Sequence, residues 1–70
     1  MRYKTLKKLY KLIHSLKGFK DLEKIECILN EGVEYVVLTF VDEYFSVDVT
    51  GLSEVGAIIK VMELLNKISS

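Results

Sequence analysis

Apolar residues near the start of the chain, at Tyr3, Leu6, Leu9, Tyr10, Ile13 and Leu16, recur at intervals of three and four. That is the period of an amphipathic helix, and Gly18 supplies a stop two residues later. At ~100° per residue, Lys4, Lys7, Lys8 and Lys11 fall on one narrow stripe opposite the apolar face, with His14 at its border beside Tyr10. Beyond residue 22 the period drops to two: Ile25, Cys27 and Leu29; Val36, Leu38 and Phe40; Phe45, Val47 and Val49. Alternation of this kind predicts three half-buried strands. The short turn signals Asn30-Glu31-Gly32 and Asp42-Glu43 make them antiparallel hairpins in a meander.

Parity then assigns the faces. A hairpin loop with an even number of residues keeps its flanking residues on one face of the sheet. A second loop of Asp42-Glu43 pairs Val41 with Tyr44 and Phe40 with Phe45, and leaves Leu38, Val47, Val36 and Val49 behind the two phenylalanines. Ile25, Cys27 and Leu29 join that apolar face only if the first loop is also even, as Glu31-Gly32 or as residues 30 to 33. The other face carries Ile28, Tyr35, Val37, Thr39, Val41 and Tyr44 with Lys24, Glu26, Ser46 and Asp48.

After Thr50-Gly51-Leu52, Ser53 is a good N-cap, with Thr50 as the rival, and Glu54 suits the positive end of a helix dipole. A second helix is expected from there to about Ile68. Its apolar positions, Val55, Ala57, Ile58, Ile59, Val61, Met62, Leu64, Leu65 and Ile68, cover well over half its circumference. That is more apolar surface than a sheet alone covers, so the first helix beside it is expected to take some of the excess and a partner or second copy docked on the second helix the rest. The fold class that follows is α+β, a single αβββα domain over residues 1–70: a three-stranded antiparallel meander with two helices packed on one face.

Length and composition narrow the function. Seventy residues, half of them hydrophobic and 29% charged, form one globular domain that buries only about 60% of its unfolded surface, so dimerisation would help so small a core. One cysteine permits neither an internal disulfide nor a multi-cysteine zinc site, and Cys27 reads as a packing residue. No signal-peptide core follows the basic start, and the longest apolar run, around residues 36 to 41, is far short of the ~20 residues that span a bilayer. A cytoplasmic location is expected. The single histidine and cysteine assemble no nucleophile-base pair, and the scattered glycines match no phosphate-binding loop. No enzyme activity, cofactor or metal is therefore expected.

The charge distribution is more informative than its sum. Residues 1 to 20 hold seven basic side chains and no acid, while all ten acids follow, against Lys24, Lys60 and Lys67, so a net charge of zero conceals a dipole. Two surfaces compete as a binding site. Tyr35, Val37, Val41, Tyr44, Asp42, Glu43 and Asp48 give an apolar centre with an acidic rim, which suits a protein partner. The stripe of Lys4, Lys7, Lys8 and Lys11 suits nucleic acid, and more distantly an anionic membrane surface. The acids Asp21, Glu23, Glu26, Glu31, Glu34 and Glu54 add to the negative side.

The element order, with Thr50-Gly51-Leu52-Ser53 leading into a helix that carries Ala57 and Leu64-Leu65, is similar to the double-stranded RNA-binding domain. The likeness spans nearly the whole chain as element order. That family contacts phosphates through lysines opening its last helix and a histidine in its first hairpin loop; here those places hold Ser53-Glu54-Val55-Gly56 and Asn30-Glu31-Gly32, so no RNA-contact residue carries over. The same order with an acidic sheet also resembles small phage inhibitors of bacterial defence nucleases. That resemblance implies a regulator or inhibitor, phage or mobile-element encoded, acting on a protein.

Overall fold

In the computed structural model, residues 2–69 are described, and the side chains of Tyr3 and Ser69 lie outside that description, so the apolar-face position read for Tyr3 does too. Helix α1 spans Tyr3–Ser15, strands β1, β2 and β3 span Leu22–Asn30, Val33–Phe40 and Tyr44–Asp48, and helix α2 spans Glu54–Ser69. The sheet is antiparallel in the order β1-β2-β3, which is the expected αβββα meander.

Both helices cover the same face. Leu9 and Ile13 of α1 and Ala57, Val61 and Leu65 of α2 join Leu22, Val36, Leu38, Phe40, Val47 and Val49 in one buried cluster, completed by Phe19 from the connection after α1. The Phe40 ring packs tilted against Phe19 and in a T-shaped pair with Phe45, with centroids 6.1 and 5.9 Å away. The four lysines of the α1 stripe are exposed, as the helical period requires. Ser53 is the N-cap of α2: its Oγ accepts a hydrogen bond from the Gly56 N–H at 3.1 Å. Thr50, the rival, instead closes the end of β3. Gly51, with φ 75°, occupies the third place of a turn in which the Leu52 N–H bonds to the Val49 carbonyl, a position that favours glycine.

The two hairpins differ in how far parity carried. The first loop is Glu31-Gly32, with φ of 51° and 79° and Asn30 opposite Val33, the two-residue turn whose twist matches the strands. The second pairs Leu38 with Phe45 and Thr39 with Tyr44, and the Phe40 N–H bonds to the Glu43 carbonyl at 2.8 Å. Its turn is therefore Val41 and Asp42, and the expected pairing of Val41 with Tyr44 and Phe40 with Phe45 is wrong by two residues. A slide of two leaves every side chain on its expected face, so the hydrophobic pattern does not distinguish the two registers.

Two expectations for the apolar face also change. Between Leu22 and Lys24 the register shifts at a β-bulge, and the extra residue, Glu23, turns Leu22 into the core, where it is 2% exposed. At the far end of β1, Leu29 lies on the helix-side face as parity requires, yet it is 73% exposed. It sits beside Glu34 at the hairpin end of an edge strand, away from the buried cluster.

Candidate functional site

The sheet face away from the helices is built by three cross-strand rows: Ile28, Tyr35 and Asp48; Glu26, Val37 and Ser46; Lys24, Thr39 and Tyr44. No helix covers it. Tyr35, Val37 and Thr39, on the central strand, are half-buried by their neighbours, whereas the flanking residues are exposed, Tyr44 to 72%. Lys24 and Glu26 form an ion pair along β1 at 3.4 Å.

The structure brings Tyr35, Val37 and Tyr44 together on this surface and sets Val41, Asp42 and Glu43, all exposed, at the turn beyond Tyr44. Ile28, which the parity pattern had put on this face, stands opposite Tyr35 and is 43% exposed, so it belongs with the site residues. The acids are not contiguous. Asp42 and Glu43 lie at one end of β3 and Asp48 at the other.

Asp48 is also committed locally. Its Oδ1 accepts from the Thr50 hydroxyl at 2.6 Å and the Thr50 N–H at 2.9 Å, and those bonds, with Lys60 nearby, hold its carboxyl below the ordinary range. The Thr50 hydroxyl in turn accepts from the Glu34 N–H, and Lys60 Nζ donates to the Asp48 carbonyl at 2.7 Å. Glu34, counted with the surface acids by its charge, is half-buried on the helix side and accepts a hydrogen bond from the Cys27 thiol at 3.1 Å. Cys27 is thus a hydrogen-bonded, half-buried residue as well as a packing one.

The alternative surface lies on the other side of the molecule. Lys4, Lys7, Lys8 and Lys11 point away from the core on α1, and among the described residues the ion pairs are Arg2 with Glu54 and Lys24 with Glu26, neither involving this stripe. The Tyr10 and His14 rings stack beside it at 5.5 Å. Among the described residues no three His, Cys, Asp or Glu side chains converge as metal ligands, and no helix is long and apolar enough to cross a membrane.

No protein-family model matches this chain, and none of the curated proteins or solved structures compared with it is significantly similar.

Proposed function

We propose that the protein is a small non-enzymatic regulator or inhibitor that binds a protein partner through its open sheet face. One observation carries this reading: Tyr35, Val37, Ile28 and Tyr44 form a tyrosine-rich apolar centre on a face that neither helix covers. Large aromatic side chains on a rigid sheet bind with little loss of conformational freedom, and charged residues at the edge set specificity rather than bulk affinity. Asp42, Glu43 and Glu26 supply that edge and favour a basic partner surface.

The test is a photo-crosslinking amino acid at position 37 in the native host, with a second at position 8 for comparison. Crosslinks to one protein from position 37, lost in a folded Tyr35→Ala, Tyr44→Ala variant, support the reading. The double variant is expected to weaken binding to the captured protein by at least about tenfold. Equal binding by the double variant would falsify it.

A second reading is favoured by the exposed lysine stripe of α1: a nucleic-acid-binding module that lays Lys4, Lys7, Lys8 and Lys11 on the phosphate backbone. It requires affinity for DNA or RNA that falls steeply with salt and disappears when the four lysines become glutamine. Retention of nucleic acid by that variant rejects it.

A further inference from the structure

We infer that the free edge of β1 is a self-association surface, on which a second copy of this chain pairs antiparallel to form one continuous six-stranded sheet. The phase of the ladder shows what the edge presents. The Phe40 N–H bonds to Glu43 and the Val49 N–H to the Glu34 carbonyl, so the even-numbered residues of β2 bond toward β3 and the odd ones toward β1. Their partners on β1 are Lys24, Glu26 and Ile28. The backbone groups of Ile25, Cys27 and Leu29 therefore point outward, away from β2.

The two edges of the sheet are not equivalent. β3 has five residues and its Asp48 carbonyl is occupied by Lys60, a common way of blunting an edge. β1 has nine residues, no proline, and exposed apolar side chains at Ile28 and Leu29 on both faces. The bulge at Glu23 confines the regular edge to residues 24 to 30.

Residue chemistry selects the register within that stretch. With Cys27 opposite Cys27 of the second copy, Ile25 meets Leu29 on the helix side in both directions, and on the open side Glu26 meets Ile28 and Lys24 meets Asn30. Between residues 24 and 30 no like charges stand opposite one another. Sliding by two in one direction sets Glu26 against its own copy, which is destabilising; sliding by two in the other sets Ile28 against Ile28 but turns Ile25 onto Glu31, so only the register centred on Cys27 pairs Ile25 with Leu29 at both ends. The chosen register also brings Glu31 of the second copy opposite position 23. There Glu23 is itself a carboxylate, and Lys7 and Lys24, which line with it a groove of about 230 Å³ between α1 and the edge, are the cations that offset the like pair.

Light scattering across a concentration series, with hydrogen exchange on the same samples, tests this. The expected mass is twice the 8.0 kDa chain, with the Ile25 and Leu29 amides exchanging about tenfold more slowly in concentrated than in dilute protein. Leu29→Lys should return the mass to that of the chain, while Ile59→Lys on the exposed face of α2 should leave it doubled. A single-chain mass throughout the series overturns the inference. So does a dimer that Ile59→Lys dissociates and Leu29→Lys does not, or one whose Ile25 and Leu29 amides gain no protection. The inference is independent of partner binding, since Leu29 and Ile25 lie on the helix side of the sheet, away from the tyrosine face.

Discussion

The hydroxyl of Thr5 on α1 donates a 2.6 Å hydrogen bond to Oε2 of Glu54, the first residue of α2. The Arg2 N–H reaches the other oxygen at 3.3 Å, so one carboxylate ties together the N-terminal ends of both helices. The Thr5 bond first, and then the Arg2 amide, lower the Glu54 pKa from its ordinary 4.5. A lowered carboxylate stabilises the fold above its unfolded pKa and loses that effect as pH falls through the folded value. Glu54→Gln should therefore lower the melting temperature by a few degrees at neutral pH, and the difference should start to shrink below pH 4.5 and vanish once the pH is below the lowered folded value. Thermal melts of both proteins from pH 7 to pH 2 check this.

Glu31 occupies the left-handed region at φ 51°, where a residue other than glycine or asparagine is strained. Glu31→Asn should add about 0.5–1 kcal/mol of stability by relieving that strain in the first hairpin. Gly32→Ala, at φ 79°, should cost a similar amount. Urea denaturation of the three proteins measures both.

Leu38 has no solvent exposure and lies at the centre of the sheet, opposite both Ile25 and Phe45. Truncating such a residue to alanine costs about 2–5 kcal/mol, and a domain of this length has only roughly 4–10 kcal/mol in total. Leu38→Ala should therefore populate unfolded molecules measurably at 25 °C, which circular dichroism across a urea titration would detect as a lost native baseline.

The Cys27 thiol is partly buried and donates to the Glu34 carboxylate, and burial first, then that bond, raises its pKa above 9.0. A raised thiol pKa contributes stability that is present below the unfolded pKa and lost as pH rises through the folded value. Less thiolate also means slower alkylation. Iodoacetamide at pH 8 should modify the folded protein at least about tenfold more slowly than the urea-unfolded chain, and Glu34→Gln should recover part of the rate. Equal rates for folded and unfolded protein would remove the bond from the account.

The sequence alone determined the element order, the solvent face of α1, the choice of cap down to Ser53 or Thr50, and the face on which each strand residue beyond the bulge lies. All of these follow from local periodicity, capping chemistry and the parity of hairpin loops. Tyr35, Val37, Tyr44 and Ile28 were legible as one surface for the same reason. Tertiary structure decided what parity leaves degenerate. The second hairpin slid by two residues because both registers keep Leu38, Phe40 and Phe45 inside, and only their packing distinguishes the two. The bulge at Glu23 exists because Leu22 is drawn into the core, a demand invisible in strict alternation. Glu34 left the acidic surface to meet Cys27, and Leu29 was left exposed at the edge, because burial depends on which element lies above a residue, not on the residue's place in a strand.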